Sequence, residues 1–456
     1  MESTHFFLIS IAISISFCFI IQTHVLASSN SNNPFPKEAH PTKTGYLPVS
    51  TTSSSAIFYT FYEAQNSTLP LSQTPLLIWL QGGPGGSSMF GNLYEIGPWT
   101  FSDKSFTFRP NSGTWNRIFA LLFLDNPIGT GFSIASSPKE IPTDQNGVAK
   151  HLFAAITTFL KLHPEFKHRP IYITGESYGG KYIVSIGYNI LKENTRLSDS
   201  ERVNLVGVTI GDGATDPETQ TVTHAITAYH AGLNNDKKKE ELEKIQMEAV
   251  TLAQNLKWSE ATDAQTKVLT RLQEMARLAT VYDYTRKDHP YHFKDWMTEL
   301  LNMAEVKKTL GVNESLVWAL HNSDVKAALY ADMMKSVKFM VEELLRSNSV
   351  RVLLYQGQWD LLDGPVQVEA WVKTMEWEGI VEYMNAERKI WKVNGEFAGY
   401  VQQWKSLTNV VVLGGGHYVP ADQPLNAQAM IEDWVLQRDA AGAEGLATRR
   451  TRDSSV

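Results

Sequence analysis

Short apolar runs and longer helical-period stretches alternate through the first half of the chain. Residues 56–62 (AIFYTFY), 76–80 (LLIWL), 119–124 (FALLFL), 171–174 (IYIT) and 205–210 (LVGVTI) are nearly unbroken apolar runs. Runs of this length without polar alternation predict strands buried on both faces. Between them, residues 144–160 and 180–191 repeat apolar positions at helical spacing. Strands alternating with such helices predict an α/β fold with a mixed, mainly parallel sheet covered on both sides. The pattern changes after Asp212. From about 215 to 333 strand runs give way to charged, helical-period sequence such as Lys237-Lys238-Lys239-Glu240-Glu241, whose lysines read as a solvated helix face. Strand signals resume at 350–355 and 410–413. The expectation is a core in two parts, 28–212 and 334–437, interrupted by a helical insertion over 213–333, with no internal repeat.

The two ends read differently. Residues 6–21 are apolar and are followed by Val25-Leu26-Ala27, small enough for cleavage before Ser28, so 1–27 reads as a signal peptide. Its first residues offer Glu2 and no Lys or Arg, which leaves an uncleaved anchor as the alternative, although the run is short for a spanning helix. Residues 438–456, rich in Ala, Gly, Arg and Ser, read as a disordered tail. A cleaved chain would have no membrane partner and would be secreted or delivered to a vacuole or lysosome. Two N-x-S/T sequons, at Asn66 and Asn313, suit glycosylation on that route. Cys18, the single cysteine, falls inside the signal, so the mature chain has no thiol for disulfides or catalysis. A net charge of −7 argues against nucleic acid as a partner. Oligomeric state is left open. The histidines are scattered and no H-E-x-x-H is present, so neither a metal nor an organic cofactor is expected.

Candidate chemistry centres on Gly175-Glu176-Ser177-Tyr178-Gly179. G-x-S-x-G places a serine on a sharp strand-to-helix turn with its hydroxyl exposed. The pentapeptide alone is common, but here it follows a predicted strand and opens a predicted helix. Serine catalysis also needs a base and an orienting acid, in the chain order Ser, Asp, His for this arrangement. Asp360 in "LLYQGQWDLL" and His417 in "VVVLGGGHYVPADQP" both lie just past strand runs, at the carboxyl edge of the predicted sheet. His224, His230 and His321 also follow the serine but fall in the helical stretch or at its edges. An oxyanion hole requires backbone N–H groups. Tyr178 supplies one, and the glycine-rich "LLIWLQGGPGGSS" after an earlier strand offers the other.

Taken in order, "WLQGGPGGSS", "EIGPW", "TWNRIFALLFLDNPIGTGFS", "GESYGGKY", "GDGATDPETQ", "YQGQWDLLD" and "GGGHYVPADQP" resemble the serine carboxypeptidases along nearly the whole mature sequence. The resemblance implies an α/β-hydrolase fold with a helical cap over the site, and release of single residues from peptide or protein C-termini, best at acidic pH. It implies Ser177 as nucleophile, His417 as base, Asp360 as its partner, and the N–H groups of Gly83 and Tyr178 as the oxyanion hole. For the substrate's terminal carboxylate it implies Trp79, Gln81, Gly82, Glu95 and Glu176. Gln81 stands where the family usually has Asn, keeping an amide donor but changing its reach. Gly86 and Asp363 stand where many members carry half-cystines, as in a cysteine-poor branch that includes the retinoid-inducible serine carboxypeptidase and plant serine carboxypeptidase-like proteins.

A glutamate beside the nucleophile is at first sight misplaced, since its charge opposes the oxyanion. Two carboxyls held close share a proton, however, and the protonated one can donate to a substrate carboxylate. That predicts binding that weakens as pH rises. Two other readings stay open: an acyltransferase of the same fold using sugar-ester donors, whose members typically carry Asp at the position of Glu176, and a catalytically silent binding or protective protein.

Overall fold

The computed structural model describes residues 34–438 apart from 68, 102 and 289–291. The signal-peptide and tail readings fall outside these residues. In chain order the strands are β1 (Lys43–Pro48), β2 (Ala56–Tyr62), β3 (Leu76–Leu80), β4 (Trp99–Phe101), β5 (Phe108–Pro110), β6 (Ala120–Leu124), β7 (Ile171–Gly175), β8 (Leu205–Gly211), β9 (Arg351–Gly357), β10 (Lys389–Val393), β11 (Glu396–Trp404) and β12 (Leu407–Val412). Ten of them form one sheet in the order β1-β2-β6-β3-β7-β8-β9-β12-β11-β10, while β4 and β5 pair separately. The six central strands, β6 to β12 in that order, run parallel, and antiparallel pairs flank them on both sides.

The apolar runs alternate between two cores. Leu76, Ile78 and Leu80 of β3 face one, with Val352 and Leu354 of β9. Leu77 and Trp79 face the other, with Leu353 and Tyr355. Strands buried on both faces leave no place for polar alternation, which is why these segments read as continuous apolar sequence. Helices α1 (Gln145–Leu162) and α2 (Gly179–Asn194) cover the first face with Leu152, Ile156, Ile183 and Ile186. The Asp144 side chain caps α1 by accepting the Gly147 N–H at 2.8 Å. The second face is closed by the helix Pro424–Val435 through Met430, Ile431 and Trp434.

Among the described residues no strand lies between Gly211 and Arg351; helices such as Asp236–Gln254 and Trp258–Ala276 fill the stretch. Asn235 caps the first by accepting from Lys238 N–H at 3.1 Å, and Leu242, Gln246, Ala249 and Val250 form its buried stripe. The lysines stay at the surface end of this helix, with Lys239 pairing to Glu243 at 3.0 Å. Parallel strands and the connections between them thus bring the ends of β3, β7, β8, β9 and β12 to one edge of the sheet. The candidate residues sit there.

Candidate active site

β7 ends at Gly175 and α2 begins at Gly179, so the chain must reverse within three residues. Ser177 takes a left-handed φ of 60°, a conformation costly for a side-chain-bearing residue. Its N–H donates to Gly211 O at 2.9 Å, and its carbonyl accepts from Gly180 N–H at 2.9 Å. Those bonds hold the turn. A Cβ on Gly175 would run into the Leu80 carbonyl, and one on Gly82 would lie 2.7 Å from the Ser177 Cβ. Glycine at both positions lets the end of β3 close against the serine. The serine opens into a pocket walled by Gly82, Gly83, Phe90, Tyr282, Leu320, His321 and Tyr418.

His417 and Asp360 come from the loops after β12 and β9. Nδ1 of His417 lies 2.8 Å from Asp360 Oδ2, with both side chains buried. A carboxylate only accepts, so Nδ1 carries the proton and Nε2 is left as the acceptor. Among the described residues Nε2 has no hydrogen-bond partner, Ser177 included. Resting sites commonly leave this contact long until substrate tightens it. Asp360 also accepts from Leu362 N–H at 2.7 Å and Asp363 N–H at 3.1 Å. Tyr282 stacks on the imidazole, with centroids 4.5 Å apart and planes at 20°, and its carbonyl takes the His417 N–H at 2.7 Å. Burial pushes the His417 pKa down, but the Asp360 charge and hydrogen bond outweigh it and leave the imidazole above its ordinary value. His321 stays below its ordinary value, at about 4, because burial disfavours its charge.

The glycine loop after β3 is held from two directions. Asp125 accepts from Ser87 Oγ at 2.6 Å and Ser88 N–H at 2.8 Å. From the helical stretch, Leu320 O accepts Ser87 N–H at 2.9 Å and Asn322 N–H donates to Gly85 O at 3.0 Å. Among the described residues neither Gly83 N–H nor Tyr178 N–H has a protein acceptor. Tyr178 is further anchored through its hydroxyl, which donates to Asp332 Oδ2 at 2.7 Å, the same oxygen that meets buried Lys181 Nζ at 2.9 Å.

Glu95 closes a wide π-helical turn, Gly91–Glu95, and is buried, as is Glu176. Trp79 Nε1 donates to Gln81 Oε1 at 2.8 Å, and Gln81 Nε2 donates to Glu176 Oε1 at 2.8 Å. An indole N–H can only donate, so it fixes the amide's orientation and turns the Gln81 NH₂ toward the glutamate. Glu176 Oε2 and both oxygens of Glu95 have no donor among the described residues. Burial, and then the Glu95 charge, raises Glu176 well above the carboxylate range, and burial raises Glu95 to about 8. The pair therefore keeps a proton.

A family model described as serine carboxypeptidase matches residues 33–437. The chain belongs to the serine carboxypeptidase family. It is accordingly a serine-type hydrolase. Among its relatives is serine carboxypeptidase-like 50 of Arabidopsis thaliana, 49% identical over 96% of this chain and 98% of that one. A second is the probable serine carboxypeptidase CPVL of Homo sapiens, 33% identical over 88% of this chain and 84% of its own. The solved structure of Kex1, a prohormone-processing carboxypeptidase from Saccharomyces cerevisiae, aligns with a TM-score of 0.78 at 24% identity, covering 86% of this chain and 91% of that one. That likeness identifies the fold as that of the α/β-hydrolases.

In this serine carboxypeptidase the sequence-derived candidates fall into two joined groups. Ser177, Gly82, Gly83 and Tyr178 meet at the elbow, with Asp360 and His417 paired beside them; Trp79, Gln81 and Glu176 form a hydrogen-bonded chain, and Glu95 is buried next to Glu176. Asn66 and Asn313 lie apart from both and are exposed; Thr68 of the first sequon is outside the described residues. Of the alternative histidines, His321 lines the pocket, while His224 is buried with Nδ1 on Leu361 O at 3.0 Å. The sequence reading missed Tyr282, Phe90 and Tyr418 in the pocket wall. It also passed over Asp212, although a lone acid between two glycines directly after a strand run was a visible signal. No helix of the described residues is long and apolar enough to cross a membrane.

Proposed function

We propose that this enzyme releases single residues from peptide and protein C-termini through an acyl-enzyme on Ser177. His417 Nε2 takes the Ser177 proton as Oγ attacks the last peptide carbonyl, and the N–H groups of Gly83 and Tyr178 receive the oxyanion. The protonated His417 then gives its proton to the departing amine of the terminal residue, and water repeats the sequence on the ester. What carries the assignment to chain ends is the buried Glu176–Glu95 pair, with Gln81 donating to Glu176, next to the nucleophile. A shared-proton pair donates to a free carboxylate and offers nothing comparable to an internal peptide bond. Acidic preference follows in sign. Raised carboxyl pKa values mean that the pair is protonated, and receptive, below the raised value; as pH climbs through it, two charges form and repel the substrate. Need for a neutral His417 sets the opposite limit. The helical stretch 213–333 acts in this reading as a cap, contributing Tyr282, Leu320 and His321 to the pocket. Passage through the secretory pathway, with sugars on exposed Asn66 and Asn313, is part of the same proposal.

The test offers a blocked dipeptide with a free C-terminus and its C-terminal amide, at about pH 5, with products read by mass spectrometry. Expected is cleavage of the acid, little of the amide, and none of either by Ser177→Ala. Equal cleavage of both, or acyl transfer from a sugar ester in place of peptide hydrolysis, refutes the assignment.

A further inference from the structure

Asp212 lies immediately after β8, beside the Gly211 carbonyl that receives the Ser177 amide, and no step above uses it. Its φ of 39° is left-handed, which aspartate and asparagine tolerate better than most residues. Its N–H donates to Tyr355 O at 2.9 Å and its Oδ1 accepts Gly357 N–H at 3.0 Å, tying it to the end of β9 just before Asp360. The side chain is fully buried. One of its oxygens, one of Asp360 and one ring nitrogen of His417 lie within 4.8 Å of one another. Oδ2 has no hydrogen-bond partner among the described residues. The ionisable groups facing it are Asp360 and His417 from the loops after β9 and β12, Tyr355 from β9, and Glu176 from the elbow; His417 is also faced by Glu95 and by Asp363, whose carboxyl burial raises to about 7.

Two carboxyls this close and shielded from water cannot both ionise cheaply, so the pair keeps a proton. The number of donors decides which member holds it. Asp360 accepts two amides and the imidazole Nδ1–H, whereas Asp212 accepts one amide. Negative charge settles where three donors meet it. We propose that Asp212 is a positioning residue for the base: it holds the proton of a buried Asp212–Asp360 pair and donates it to Asp360, so that His417 stands over one negative charge and not two. Burial, followed by the Asp360 charge, holds the Asp212 carboxyl well above its usual range, in agreement with the donor count. The consequence is for the working range of the enzyme. A second charge at this distance would raise the imidazole pKa by about one to three units, keeping His417 cationic at the pH where the Glu95–Glu176 pair still holds its proton. A neutral Asp212 removes that conflict and adds a fourth donor that fixes the Asp360 carboxylate. The inference rests on reading His417 as the base, and not on which bond is cleaved.

Its test is an NMR titration of the His417 ring in Ser177→Ala protein, with and without Asp212→Asn. Asparagine suits the φ, keeps an oxygen for Gly357 N–H and replaces the hydroxyl donor by an amide, so the His417 pKa should move by well under one unit. Were Asp212 ionised, the same substitution would remove a charge and drop the His417 pKa by about one to three units, which overturns the proposal. Asp212→Leu removes the donor without altering charge. In the Ser177 enzyme it should slow fluorophosphonate labelling between about pH 5 and pH 6 relative to Asp212→Asn, and identical rates for the two variants would also overturn it. If the leucine protein fails to fold, the asparagine titration decides alone. Failure of wild type to cleave peptides would strike the proposed function while leaving this titration readable.

Discussion

The site contains two pairs of buried carboxyl groups, Glu95–Glu176 beside Ser177 and Asp212–Asp360 beside His417, and they differ in how many donors reach them. Glu176 accepts one side-chain donor, from Gln81, and Glu95 accepts none among the described residues. Asp360 alone accepts three. Burial raises one or both carboxyls in each pair, yet the outcomes diverge. Where donors are scarce, neither carboxyl is a settled anion, and the proton between them is available to a ligand that brings its own negative charge. Where donors converge on one member, as on Asp360, that member is the acceptor of the pair and the other becomes its donor. The first arrangement suits recognition of a carboxylate, the second orientation of an imidazole.

The largest break in this comparison comes from Asp360→Asn. An amide can donate to Nδ1, which turns the imidazole to the tautomer with its proton on Nε2, where it cannot accept from Ser177. The expected loss in kcat is about 10⁴-fold with KM little changed, by analogy with the same substitution in a serine protease triad; steady-state kinetics at about pH 5 and pH 7 read it. A loss confined to KM would place Asp360 in binding and dissolve the contrast between the pairs.

Glu176→Gln should act on the other parameter. With one member permanently neutral, the pair no longer builds two charges, so KM should climb less between about pH 5 and pH 8 while kcat keeps its pH dependence. A difference of about 10-fold in KM at the upper end corresponds to the roughly 1.4 kcal/mol attached to one pKa unit. The same protons affect stability. Carboxyls raised in the folded state contribute stability that is complete below the ordinary glutamate range and is lost as pH rises through the raised values. Thermal melts should therefore fall in midpoint from about pH 5 to pH 8, less steeply in Glu176→Gln. Parallel melting curves for the two proteins would show that the pair ionises freely, contrary to its burial.

How far the sequence discloses this arrangement depends on the range of the forces involved. The central strands were readable because burial on both faces demands unbroken apolar runs, as in "LLIWL" and "ALLFL". The flanking β10 and β11 were not: "KIWKV" buries Trp391 and exposes three of its neighbours, so it carries no unbroken apolar run. Ser177, Asp360 and His417 stand out because each follows a strand run among turn-forming residues, a local signature. Tyr282 has none. It comes from the helical stretch, and only folding lays its ring on His417. Asp212 lies between these cases. Its flanking glycines mark a turn, but its closeness to Asp360 follows from β8 and β9 lying side by side, a pairing that no short window of sequence contains.

The smallest expected effect, Gln81→Asn, probes the single side-chain donor that reaches Glu176. In the present geometry the Gln81 amide spans from Trp79 Nε1 to Glu176 Oε1, at 2.8 Å on each side. Asparagine is one methylene shorter and cannot hold both contacts without moving the loop backbone, where Gly82 already lies against Ser177. The indole, rigidly packed and fully buried, keeps the amide oxygen, so the contact given up is the one to Glu176. A donor to a carboxylate favours its ionised form. Losing it pushes the pair's pKa further up, and the pH at which KM begins to climb moves upward with it. At about pH 5, where the pair is already protonated, KM should change by only a few-fold and kcat hardly at all. A downward move of the KM profile would mean that Gln81 holds the proton on Glu176 in place, and the glutamate pair would then resemble the donor-rich aspartates more than its geometry suggests.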